Sequence, residues 1–208
     1  GSEMCIRDRH QHDHEDRRER QRVGMHDGTA DGGECFLIAA KTEALGVELA
    51  HEGDEFLVFV GHVAQDQLAV VIGKRAHNVQ KGNSAEYIFG YTCLNDVTAR
   101  DIQKSDPQWT RGKGFDTFCP TGPYIETEFS PETAEITTLL NGKIVQHSPV
   151  SAMMHGIDKL ICYITQCMTL LPGDIIATGT PSGIGSMQRG DTVEVRITGL
   201  GTLRNTVR

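Results

Sequence analysis

The sequence predicts an α+β fold rich in β-strands. Short runs of β-branched and other apolar residues recur between glycines and prolines from residue 68 onward. Asn141-Gly142 stands between two such runs, and this dipeptide suits the tight turn of a hairpin. One stretch alone, 157–171, has clear helical periodicity: Ile157, Leu160, Ile161, Ile164, Met168 and Leu171 fall at i, i+3, i+4 and i+7 spacings. Many short strands around one long helix are the pattern of an α+β domain.

Taken in order, residues 1–22 hold six Arg, six acids and His10, His12 and His14, with almost nothing apolar. Such a stretch cannot bury enough surface to offset the entropy of ordering, so a disordered tail is expected. The alternating histidines have the i, i+2 spacing of a metal-holding strand face, but the composition favours the tail. Residues 23–34 are glycine-rich and read as loop; 35–40 and 55–60 are short apolar runs without a motif. LAVVIGK at 68–74 is a β-branched run ended by glycine, a buried strand. Asn83-Ser84 caps a short helix over 85–89. Strands follow at 91–96, 135–140 and 143–147. Pro172-Gly173 stops the helix, and 175–178, 192–197 and 203–207 are strands.

A formal charge of −8 disfavours a nucleic-acid partner, which selects a basic face. No run approaches the ~20 apolar residues of a membrane span, and the start carries no apolar signal core. The six cysteines form no CxxC pair, as expected of reduced thiols in the cytoplasm.

The reactive side chains concentrate in 86–127. Asp96, Arg100, Asp101, Gln103, Lys104, Asp106, Arg111, Lys113 and Asp116 lie there among Tyr91, Leu94, Trp109 and Phe115. Charges interleaved with aromatics and fixed turns point to polar groups aimed inward.

The segments LAVVIGK, YIFGYTCLNDVTARDIQ, KGFDTFCPTGPYIET, MTLLPGDIIATGTPSGIG and RGDTVEVRITGLGTLRN, in that order over 68–208, together resemble the fumarylacetoacetate hydrolase family. DPQWTRGKGFD is most similar to the bacterial branch that isomerises or decarboxylates hydroxy-diene dicarboxylates in aromatic catabolism. The resemblance implies a mixed β-roll with short helices, a homodimer, and a small 2-oxo or enol dicarboxylate as substrate. It implies a Mg2+ or Mn2+ cofactor, because a hard cation chelated by the 2-oxo oxygen and carboxylate stabilises an enolate. It divides the chain into a disordered or non-native tail (1–34), an unmatched segment (35–67) and the catalytic domain (68–208).

The resemblance also implies roles for particular residues. Asp96, by pattern alone a strand-end turn aspartate, becomes a metal ligand. Arg100 and Gln103 become substrate-binding residues able to grip a carboxylate. Lys113 binds substrate and, as the catalytic cation, neutralises enolate charge. Thr180, in the glycine-rich loop 178–185, offers a hydroxyl and backbone amides; that loop lacks the Gly-Lys-Ser/Thr ending of a phosphate site. The family's Glu-x-Glu ligand pair is replaced by Gln65-Asp66-Gln67. On a strand, 65 and 67 share a face and 66 points away, so Asp66 substitutes for neither glutamate. Two lost charges predict severely weakened metal binding. Glu52 and Asp54 have the right spacing but lie in unmatched sequence, and His12 with Glu15 is read as chance spacing of an acid–base pair. His77, His147 and His155 are expected at the surface or core edge.

Overall fold

The computed structural model describes residues 23–25, 36–40, 54–56, 62–183 and 185–208. The His10–His12–His14 run, the His12/Glu15 pair, Glu52 and most of the stretch read as a tail lie outside the described residues.

β5 (Asp66–Ile72) and β6 (Ile88–Asn95) form a long antiparallel pair in a six-stranded sheet. β11 (Asp174–Ala177) flanks β5, followed by β2 (Phe36–Ala40) and β1 (Val23–Met25); β8 (Thr121–Glu126) flanks β6. The apolar run 35–40, which carried no motif, thus becomes a neighbour of β11.

A second sheet has five strands. The hairpin β9 (Glu135–Leu140) and β10 (Lys143–Pro149) turns at Asn141 (φ 51°) and Gly142 (φ 77°), the two positive φ values of a tight hairpin turn. β13 (Thr192–Ile197) pairs with β9 and with β14 (Gly201–Val207), and β3 (Asp54–Phe56) joins β14 in parallel. A small third sheet orders β12 (Gly185–Ser186), β4 (His62–Ala64) and β7 (Thr98–Ala99). The helices are few and short: α1 (Arg100–Ser105), α2 (Thr110–Lys113) and α3 (Ile157–Cys167). This is the β-rich α+β architecture expected, and no helix among the described residues is long and apolar enough to cross a membrane.

Alternation along β5 organises the core. On one face Val70 and Ile72 pack with Leu160, Ile161 and Ile164 of α3, while Leu68 packs with Ile136, Val195, Ile197 and Leu203 of the second sheet. The opposite face, Ala69 and Val71, packs with Leu94, Ile175 and Ala177. Continued backward, the first face ends in Asp66 and the second in Gln67 and Gln65.

α3 stops at Cys167, four residues before the expected end. Met168 is extended (φ −151°, ψ 161°), and Leu170 exchanges backbone hydrogen bonds with Ala76 at 2.9 Å each way. Leu170, not the expected Leu171, reaches the same core, from a bridge rather than a helix turn. The helix cap expected at Asn83-Ser84 is a 3-10 turn, Ser84–Tyr87.

Near the start of α3, Asp158 accepts the Gly82 N–H through both oxygens (3.0 and 3.1 Å). Its hydrogen bond with Ser84 holds the carboxyl below the usual range. Asp158→Ala is expected to lower stability in urea unfolding by about 0.5–1 kcal/mol, a value kept small by solvent exposure. Because the folded carboxyl is depressed, the difference from the parent is fully present above the ordinary Asp value and is lost as pH falls from there through the lower folded value.

Candidate functional site

β6 ends at Asn95, and the chain turns so that Asp96 N–H bonds Gln65 O at 2.9 Å. This locks the end of β6 against the entry to β5. Asp96 is almost fully buried, and its Oδ2 receives two donors: the Lys113 ammonium, in a short ion pair, and Gln67 Nε2 at 3.2 Å. Lys113, 4% exposed, also donates to Thr98 Oγ1 at 3.1 Å, and Gln65 Nε2 donates to the same hydroxyl at 3.2 Å. The Gln67 amide is held at both ends, because its Oε1 accepts the Gly179 N–H at 2.8 Å.

Lys113 reaches Asp96 because α2 lies very close to α1. A Cβ on Gly112 would stand 3.3 Å from Gln103 N and 3.4 Å from Ala99 O, tighter than ordinary contact. At the start of α1, the Arg100 guanidinium donates to Gln103 Oε1 in a short contact. Burial pushes the Asp96 carboxyl above its usual value, while Lys113, then Arg100 and Gln67, pull it back. Burial also lowers Arg100, against the raising influence of Asp96.

Asp96, Lys113, Arg100 and Gln103 are therefore gathered as one set. Thr180 lies one residue from Gly179 and is anchored elsewhere: its hydroxyl accepts from Gln146 Nε2 at 3.1 Å. Gln146 itself is buried, taking the Thr138 hydroxyl on Oε1 at 2.9 Å and donating to Pro181 O at 2.6 Å. Thr98 and Gln146 were missed in the sequence. The spacing of Asp96 and Thr98 gave a signal for the first; Gln146 belongs to a hairpin strand far along the chain and gave none. His77, His147 and His155 face Thr169, Thr137 and Lys159 at exposed positions, away from this set. Asp54 falls in β3, at the edge of the other sheet.

Gln65 and Gln67 do lie on the Asp96 side of β5, and Asp66 does not. Asp66 is fully buried with no hydrogen-bond partner for either oxygen among the described residues. Thr138 approaches it, but the single Thr138 hydroxyl proton goes to Gln146. Burial holds the Asp66 carboxyl well above the ordinary range.

A divalent cation does not fit this donor set. Among the described residues Asp96 supplies the one carboxylate, and Lys113 is paired with it. Both glutamines direct their nitrogens into the cluster, and contacts at each end of Gln67 fix that orientation. Among the described residues, no three His, Cys, Asp or Glu side chains converge. Among the described residues the cluster sets two cations against one carboxylate, with Asp96 Oδ1 left as a buried acceptor without a partner.

Residues 64–208 match the model of the fumarylacetoacetate (FAA) hydrolase C-terminal family. An uncharacterized protein of Archaeoglobus fulgidus is 51% identical over 142 residues, covering 68% of this chain and 57% of that protein. An oxaloacetate tautomerase of Bacillus subtilis is 41% identical over 153 residues, covering 69% and 51% respectively. The crystal structure of a 2-hydroxyhepta-2,4-diene-1,7-dioate isomerase from Mycobacterium marinum superposes with a TM-score of 0.72 at 45% identity, covering 76% of this chain and 63% of that one. The chain thus spans between half and two thirds of these relatives' lengths. A family model matched over more than half of the residues, on a β-rich fold shared with these structures, makes this chain a member of the fumarylacetoacetate hydrolase family.

Proposed function

We propose that this domain is the catalytic part of an enzyme acting on small 2-oxo or enol dicarboxylates of the kind met in aromatic-compound catabolism, by hydrolysis, decarboxylation or isomerisation through an enolate. The observation that carries this reading is the convergence of Lys113, Arg100, Gln103 and Asp96 at the end of β6, within the family-matched region. Arg100, steadied by Gln103, takes a substrate carboxylate. Lys113, buried and desolvated, opposes negative charge as it builds on the reacting oxygen. Thr180 and the loop amides beside Gly179 close the other wall. The isomerase and tautomerase names of the relatives support the reaction class. A homodimer and a cytoplasmic location complete the reading; Cys93, Cys162 and Cys167 are free thiols, as a reducing compartment allows.

Gln65 and Gln67 favour a second reading for this particular chain: a family member that binds the small acid with little or no turnover. Mg2+ or Mn2+, with Asp96 as a ligand, belongs to a form with glutamate at both positions. Product assays on a 2-hydroxy-diene dicarboxylate, an acylpyruvate and oxaloacetate, with Mg2+ present, compare the two forms. The Gln65→Glu/Gln67→Glu protein is expected to turn over at least one of them ~100-fold faster than the parent, the scale of lost transition-state charge stabilisation. No turnover of any by either protein overturns the enzymatic reading.

A further inference from the structure

We infer that this site takes the enol form of a 2-oxo acid directly, with no divalent cation, the enol hydroxyl donating to Asp96 Oδ1 and the acid's carboxylate facing Lys113 and Arg100. The inference rests on the reading of the cluster as a small-acid site and adds the tautomer it selects and the cation it does without.

Charge decides the first part. Among the described residues, Lys113 and Arg100 are the two cations beside the single carboxylate of Asp96, so the formal charges of this set sum to a positive value. Adding a dication would place it beside Lys113 and Arg100 with a single anionic ligand among the described residues, which is repulsive. Adding an anion neutralises the cluster instead. The amide groups agree, since Gln65 and Gln67 turn N–H groups inward where a cation needs oxygens.

The unpartnered acceptor decides the second part. A buried carboxylate oxygen without a donor is unfavourable until something donates to it. The keto form of a 2-oxo acid has only acceptors at its reacting end. The enol differs by one proton, moved from carbon 3 to the oxygen on carbon 2, and that O–H is a donor beside a carboxylate. It meets both demands of the cluster: a donor for Asp96 Oδ1 and an anion for the two cations. The keto form sets a carbonyl oxygen against Asp96 Oδ1 and leaves it unpaired.

Oxaloacetate, which equilibrates between the two forms, is the probe. The full chain is mixed with it at stoichiometric concentration in EDTA, and the enol is read by ultraviolet absorbance while calorimetry reads binding. Catalysis alone changes how fast the forms equilibrate; selective binding changes how much enol there is. Enol is expected to rise in near-equimolar proportion to protein, by the same amount within twofold when excess Mn2+ replaces EDTA. Arg100→Gln, on a part-exposed side chain, is expected to weaken the effect at least tenfold with an unchanged melting temperature; Lys113→Gln gives a second test where its melt shows a folded protein. Binding in EDTA with no added enol overturns the inference. Binding that needs Mn2+ also overturns it but leaves the small-acid reading standing. No binding in either buffer overturns both.

Discussion

Restoring glutamate at residues 65 and 67 together is expected to raise Mn2+ affinity by roughly 100- to 1,000-fold, read by calorimetric titration of the two proteins side by side. Each glutamate sets a negative charge next to Asp96, and the attraction of a dication for charges at ~4 Å is several kcal/mol even at a protein-like dielectric. Most of that is lost to desolvation and to competition from Lys113, which leaves a net gain of about 3–4 kcal/mol. The same change has an opposite effect on the metal-free protein. Gln67 now donates to Asp96 at 3.2 Å; a carboxylate there repels it in a buried site. Without metal, the double variant is expected to lose about 2–4 kcal/mol, roughly 5–10 °C in melting temperature. Mn2+ at ~100 times its dissociation constant returns about 2.7 kcal/mol of that. Equal Mn2+ affinity in the two proteins would show that the glutamines are not where the cation site was lost.

Replacing Asp66 should do the reverse, stabilising the protein without touching the ligand side. Asp66 extends the apolar row Leu68–Val70–Ile72, is fully buried and, with Thr138 turned to Gln146, has no donor for either oxygen among the described residues. Asp66→Val supplies a β-branched apolar residue suited to that row and is expected to add about 2–4 kcal/mol in urea unfolding. The pH dependence follows from linkage. The folded-state carboxyl is raised, so the folded protein holds that proton more tightly than the unfolded chain. Parent stability therefore falls as pH rises from the ordinary Asp range toward the raised folded value. The variant lacks that decline, so its advantage grows over the same interval and then levels off. An advantage independent of pH would mean that Asp66 has a buried partner.

Much of the fold was legible because strand signals here are local. The Asn141-Gly142 turn, the β-branched run at 68–74 and the paired runs near the end of the chain each specify their element within a few residues. The end of α3 was not legible, because the Leu170–Ala76 bridge takes backbone groups that the periodicity assigns to a helix. β8 was missed for a related reason: TGPYIE opens with Gly-Pro, which argues against a strand, yet it lies at a sheet edge where the missing proline N–H is tolerated. In the site, Asp96, Arg100, Gln103 and Lys113 lie on one short stretch, and the resemblance to the family, not their local pattern, marks them out. Thr98 needed the fold to show that Lys113 and Gln65 share its hydroxyl. The isolation of Asp66 needed more, since it depends on Thr138 giving its only proton to Gln146 on another strand.

The alternation along β5 has a consequence for how such a protein changes over time. Even-numbered positions from 66 to 72 answer to the core; 65 and 67 face the Asp96 cluster, and the two series interleave along one ribbon. A substitution at one position leaves the demands on its neighbour nearly untouched, since adjacent side chains never meet. Cofactor use can therefore drift while the scaffold stays whole, and scaffold defects can accumulate or be repaired without altering what is bound. Gln65-Asp66-Gln67 shows both kinds of departure in three consecutive residues, at the start of a strand that still pairs with β6 from Asp66 to Val71 before its register shifts.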